Sequence, residues 1–141
     1  MESTASSGIL WPVLGHLGLV QFLFAMVSWR RRRATREGTL TYDDLAWNGA
    51  EPELSRRWAK NLDNQFQLPV LFYALVAMLM ATGEVSNIQI GLAWLFLVGR
   101  LLHTCVQVTG DNVVLRGRVF IVNYVALSAM WLLFLYDMLV H

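Results

Sequence analysis

The sequence predicts an all-α integral membrane protein, a four-helix bundle with its N-terminus outside and its C-terminus outside. Three observations carry this reading. Of the 141 residues, 56% are apolar and only 15% are charged, whereas soluble domains carry about 45–50% and about 25%. Four segments are apolar and long enough to cross a bilayer, since about 20 residues at about 1.5 Å each span a hydrocarbon core of roughly 30 Å. Finally, the basic residues fall on one side of those segments. A soluble bundle would need polar outer faces, which the four segments lack.

The first span covers 8–29 (GILWPVLGHLGLVQFLFAMVSW) and is uncharged throughout. It does not read as a cleaved signal peptide, because its leader has no Lys or Arg and a basic cluster follows it. Trp11 and Trp29 bracket it as interfacial anchors. The connection 30–60 is the one stretch of ordinary soluble composition. Within it, Glu51-Pro52-Glu53 reads as a helix start, with Pro52 in the first turn and acids near the positive dipole end. That helix is expected to run continuously into the second span, 66–82, with Pro69 kinking it. Residues 82–87 (TGEVSN) form a short antiparallel link. The third span, 88–108, is interrupted by Arg100. Thr109-Gly110-Asp111-Asn112 breaks the helix again, and the fourth span, 119–140, holds Asp137 near its end. Residues 1–141 thus read as a single transmembrane domain.

The formal charge of +1 divides unevenly. Arg30, Arg31, Arg32, Arg33, Arg36, Arg56, Arg57, Lys60, Arg116 and Arg118 all fall on one side if the crossings alternate. The positive-inside rule makes that side cytoplasmic. Seven acids share it (Glu37, Asp43, Asp44, Glu51, Glu53, Asp63 and Asp111), while Glu2, Glu84 and Asp137 lie outside. Arg100 alone is within a span. The balance excludes a nucleic-acid partner, and the surrounding lipid is the expected one. The Arg30–Arg33 run serves first as a topology signal and second as a contact for acidic lipid heads.

The chemistry is concentrated in polar residues at helical spacing. Arg57, Lys60, Asn61, Asn64 and Gln67 form one stripe. Arg100, His103, Thr104 and Gln107 repeat the i, i+3, i+4, i+7 pattern, and Arg116, Arg118 and Asn123 open the last helix. An intramembrane Arg costs at least about 2.5 kcal/mol on insertion scales, so Arg100 should face the interior and be paired. Asp63 or a backbone carbonyl could neutralise it. As a set, however, the cations outnumber Asp63 and Asp111, and that excess suits an anionic ligand. The first helix offers only His16 and Gln21, which do not share a face, and His16 reads as a satisfied structural residue. Cys105, the only cysteine, points away from His103, and no spacing suits a metal. No phosphate-binding glycine loop is present.

At these stripes the sequence resembles the MAPEG family, membrane-associated proteins in eicosanoid and glutathione metabolism that include the microsomal glutathione transferases. Arg57-Trp-Ala-Lys-Asn61 keeps the Arg and Asn of its second helix. Arg100-Leu-Leu-His103 looks like its Arg-x-x-His, and Arg116-Gly117 matches the Arg-Gly that opens its fourth helix. The resemblance covers roughly residues 10–138. It implies a left-handed bundle assembled as a homotrimer, with glutathione as co-substrate between subunits near the cytoplasmic side. It also implies a bacterial inner membrane ahead of the endoplasmic reticulum. Arg116, or else Arg100, would stabilise the glutathione thiolate as the catalytic group. Arg57, Asn61, Asn64, His103, Gln107 and Arg118 would line the binding site. Two positions depart from the pattern: a family Glu is Asn64 here, and a family Tyr is Gln107. The implied activity is transferase or peroxidase chemistry on a lipophilic small-molecule substrate. The alternative is a non-catalytic bundle that binds an anionic lipid or acts as a scaffold. A transporter ranks third, for want of paired broken helices.

Overall fold

The computed structural model describes residues 7–48, 51–110 and 112–140. Glu2 and Asp111 of the charge balance, and His141, lie outside them. The helices are α1 (Leu10–Arg36), α2 (Glu53–Asn64), α3 (Leu68–Thr82), α4 (Asn87–Thr109) and α5 (Val113–Val140), with a π-helical turn at Asp44–Asn48. No strand occurs among the described residues. The all-α reading holds. Four rods are long and apolar enough to cross a membrane: α1, α2 with α3, α4, and α5.

Helix α1 runs past the apolar stretch and carries the arginine run as its last turns. Arginine is a good helix former, and Arg33 and Arg36 complement the negative end of the dipole. Arg31 clips the following connection back onto this helix. Its Nε and Nη2 donate to the two carboxylate oxygens of Glu51, at 2.7 and 3.2 Å. Burial alone would raise the Glu51 carboxyl. Hydrogen bonds from Arg31 and Ser55, and the charges of Arg31 and Arg56, hold it below the usual carboxylate range instead.

The expected continuous second helix is not found. Helix α2 starts at Glu53 with Pro52 as its N-cap, one residue later than the sequence suggests, and ends at Asn64. Residues 65–67 form a break, and α3 restarts at Leu68. Pro69 explains why the kink became a break. It has no N–H for the Gln65 carbonyl, and its ring crowds that carbonyl in a continuous helix. The chain turns instead, with Gln65 N–H donating to Leu62 O and Phe66 N–H to Asp63 O. Pro69 then sits in the first turn of α3, where a missing N–H is harmless.

The remaining links behave as expected. Gly83 closes α3 in the left-handed conformation at φ 80°. The Ser86 hydroxyl caps α4 by accepting from Gln89 N–H at 3.2 Å. Helix α5 begins at Val113, so Arg116 and Arg118 lie in its first turns, where the sequence placed them.

Helix α4 packs lengthwise on α5 and also meets α1 and α2, while α3 leans on α5. Two apolar cores result. One gathers Ile9, Phe72, Leu75, Leu79, Phe96, Leu127 and Met130, with Phe72 stacked on Phe96 at 4.5 Å between centroids. The other gathers Leu19, Leu23, Val27, Trp58 and Leu62. A buried polar layer of His16, Asn61, Gln65, Arg100 and Thr104 accompanies them. Large apolar side chains such as Ile121, Val125, Leu132 and Leu135 remain exposed along α5, as a lipid-facing or subunit-facing surface requires.

Candidate functional site

Arg100 is the centre of the polar layer. Helix α4 carries it inward at mid-span, and it is only 1% exposed. Its Nε and Nη2 donate to Gln65 Oε1 at 3.1 and 2.8 Å, and Nη2 also donates to the Asn64 backbone carbonyl at 3.1 Å. That carbonyl is available because α2 ends there, leaving its last carbonyls without helical partners. None of the ion pairs among the described residues includes Arg100. Asp63, a candidate counter-charge from sequence, is exposed instead and lines a surface cavity with Arg31 and Lys60.

The groups around Gln65 fix one another's orientation. Its amide nitrogen donates to Asn61 Oδ1 at 2.8 Å and to Asn61 O at 3.1 Å. Asn61 Oδ1 also accepts from the Thr104 hydroxyl at 3.1 Å. His16 Nε2 lies 3.0 Å from Gln65 Oε1, an amide oxygen that only accepts, so Nε2 carries the imidazole proton. The other ring nitrogen, Nδ1, therefore accepts from the Tyr73 hydroxyl. A continuous train results: Tyr73, His16, Gln65, Arg100, with Asn61 and Thr104 bracing it from the side. Three hydrogen bonds from a charged donor contribute about 1.5–3 kcal/mol each, enough to offset a desolvation cost of several kcal/mol.

The other sequence candidates divide into three groups. Asn61 and Arg100 share the buried layer. His103 is buried one turn further along α4, within electrostatic reach of both Arg100 and Arg116, and its ring lies 6.4 Å from Phe120. Its Nδ1 has no partner. Arg116 is half-buried, while Arg118 is exposed. Asn64 and Gln107 are brought together with each other, Asn64 Nδ2 donating to Gln107 Oε1 at 2.9 Å. Arg57 forms an i,i+4 ion pair with Glu53 on the surface of α2. Lys60 and Gln67, members of the predicted stripe, are exposed. Cys105 is exposed too, on a different side of α4 from His103. No group of three metal-ligating side chains occurs among the described residues.

Sequence reasoning missed two members of the train, Gln65 and Tyr73; His16, read as a satisfied structural residue, is bonded to both. Two further polar groups stand out by lacking partners. Both polar atoms of Asn123 on α5, and Gln89 Oε1 on α4, are buried without a hydrogen bond.

The order and spacing of these residues on the helices can be compared with known families. The sequence pattern of the MAPEG family matches residues 8–136, nearly the whole chain. The protein is a member of the MAPEG family. No match was found among curated proteins or among solved structures. In this MAPEG protein Asn64 and Gln107, the two positions that depart from the resemblance, lie in contact and share one hydrogen bond.

Proposed function

We propose that this MAPEG protein binds glutathione and uses it in transferase or peroxidase chemistry on lipophilic electrophiles. The observation that carries the reading is a buried guanidinium held only by neutral acceptors. A carboxylate partner would cancel the charge of Arg100, whereas Gln65 and the Asn64 carbonyl leave it available to an anion. Arg116 adds a second cation near His103. His103 Nδ1, which has no partner, adds a polar group beside the two cations.

Glutathione would supply the nucleophile, a thiolate sulfur. The protein's part is to hold the carboxylates, stabilise the thiolate and exclude water. Arg100 and Asn61 would anchor the peptide, with Asn64, Gln107, His103, Arg57 and Arg118 around it. Arg116, the more accessible cation, would face the sulfur. The site would lie toward the cytoplasmic end, completed by a neighbouring subunit of a homotrimer in a bacterial inner membrane. The apolar second substrate would approach from the lipid side.

A second reading is an anionic lipid phosphate seated on the same cations without catalysis. It is favoured by Asn64, an amide where the resemblance implies a carboxylate for the ammonium of glutathione, and one already bonded to Gln107. Calorimetric titration of the purified protein tests the first reading. Binding at sub-millimolar glutathione, with a thiolate absorbance lost in Arg116→Ala, is expected; no heat up to millimolar ligand would overturn it.

A further inference from the structure

We propose that Gln65 sets the affinity of this MAPEG protein for anions, by anchoring Arg100 with a neutral oxygen where a carboxylate would switch the site off. The inference rests on the reading of Arg100 as an anion-binding group, and it names the residue that controls it.

The geometry is that of an ion pair with the negative charge removed. Gln65 Oε1 takes two guanidinium hydrogen bonds from Arg100 through Nε and Nη2, the contacts a carboxylate oxygen would take. The same oxygen receives His16 Nε2–H. An oxygen with three donors converging on it is the place where a negative charge would be best stabilised. Glutamate there would be satisfied and isosteric. The chain instead carries an amide, oriented by donating to both oxygens of Asn61. Arg100 is thereby fixed in place while its charge stays uncompensated. Nη1, the far side of the fork, donates to no acceptor among the described residues.

Two kinds of role for Gln65 make opposite forecasts for Gln65→Glu. If Gln65 only holds Arg100 in position, glutamate holds it as well or better, and anion binding persists. If its neutrality matters, the new carboxylate neutralises Arg100 and binding falls by about tenfold or more, while the protein stays folded. The amide of Asn61 can flip to donate to the second carboxylate oxygen, which leaves the Asn61 backbone carbonyl as the one acceptor that loses its donor. Asn61→Asp supplies a second variant. It places a charge one hydrogen bond further from Arg100, and a smaller loss of affinity is expected.

The experiment measures ligand-induced thermal stabilisation of wild type, Gln65→Glu and Asn61→Asp in detergent. Reduced glutathione and phosphatidylglycerol in mixed micelles are the two probes. Wild-type binding of glutathione that collapses in Gln65→Glu, with an unchanged or higher unfolding temperature without ligand, supports both the inference and the glutathione reading. Binding of phosphatidylglycerol alone, collapsing in the same variant, supports the inference and overturns glutathione. Equal binding by wild type and Gln65→Glu overturns the inference and leaves the glutathione reading standing. Should Gln65→Glu not fold, Asn61→Asp decides, and unchanged affinity in it overturns the inference. A wild type that binds neither probe overturns both.

Discussion

Gly99→Ala tests the closest approach of α4 and α5, on which the placement of His103 and Arg116 depends. A Cβ at Gly99 would lie 2.0 Å from Asn123 Oδ1 and 2.9 Å from its Cγ. Relieving the first contact requires a shift of about 1.4 Å to reach an ordinary separation near 3.4 Å, far beyond the give of a packed interior. Asn123 is fully buried, so it cannot swing into a surrounding phase. Overpacking of this kind costs about 1–3 kcal/mol, and the better helix propensity of alanine returns about 1 kcal/mol. A net loss of up to about 2 kcal/mol follows. Asn123→Ala removes both the clash and two buried polar atoms that have no partner. The double variant Gly99→Ala/Asn123→Ala should therefore be more stable than the two single changes imply. The assay is a double-mutant cycle of denaturant unfolding in micelles. A favourable coupling of about 1 kcal/mol or more is expected, and additivity within about 0.5 kcal/mol would refute the close approach.

Restoring the family residues as a pair, Asn64→Glu with Gln107→Tyr, should raise glutathione affinity about tenfold, since one hydrogen bond to a charged group is worth about 1.5–3 kcal/mol; titration calorimetry checks this, and a gain in either single variant as large as in the pair would contradict the coupling. The Glu51 carboxyl is held below its ordinary value of 4.5 in the folded protein. Its contribution to docking the connection is therefore complete above pH 4.5 and is lost as pH falls through the lower, folded value. Protease cleavage between α1 and α2 should rise below pH 4.5, and Glu51→Gln should flatten that dependence. The positive-inside assignment can be checked with cysteines placed in a Cys105→Ser background. Ser86→Cys should react with an impermeant maleimide from outside and Thr35→Cys only from the cytoplasm; the reverse pattern would invert the topology.

Much of the fold is legible because lipid removes the ambiguity of a soluble core. A segment such as 8–29 has no polar face to protect it from water, so length and composition suffice. The site is less legible, and for a different reason at each residue. Asn61 and Arg100 were readable because a cation or amide at helical spacing must turn inward. The break at residues 65–67 leaves Gln67 exposed, although it continues the spacing of Asn61 and Asn64; Gln65, four residues after Asn61, stays on the buried face of α2. His16 was set aside because no second polar residue on its own helix shared its face. Its partners are Gln65 and Tyr73, on segments 49 and 57 residues away. The usable signal was solitude itself, since one imidazole in an uncharged apolar run must bond to another helix.

Pro69 links the break to one of the acceptors of Arg100. A continuous helix would hold the Asn64 carbonyl in its own ladder, bonded to the N–H of Leu68. The break frees that carbonyl, and Arg100 takes it. Gln65 shares the buried face of α2 with Trp58 and Asn61, and its oxygen receives the guanidinium from α4 and the imidazole from α1. A buried arginine thus acquires its acceptors from backbone geometry and an amide rather than from an acid. Had Asp63 supplied the counter-charge, the layer would be electrically closed and useful only for stability. An electrically open layer needs a neutral acceptor set, and in this chain the proline supplies the carbonyl member of that set. Replacing Pro69 with Ala should therefore straighten α2 into α3 and reduce anion affinity together. A straightened helix, read from spin-label distances across the break, with undiminished affinity would separate the two and refute the link.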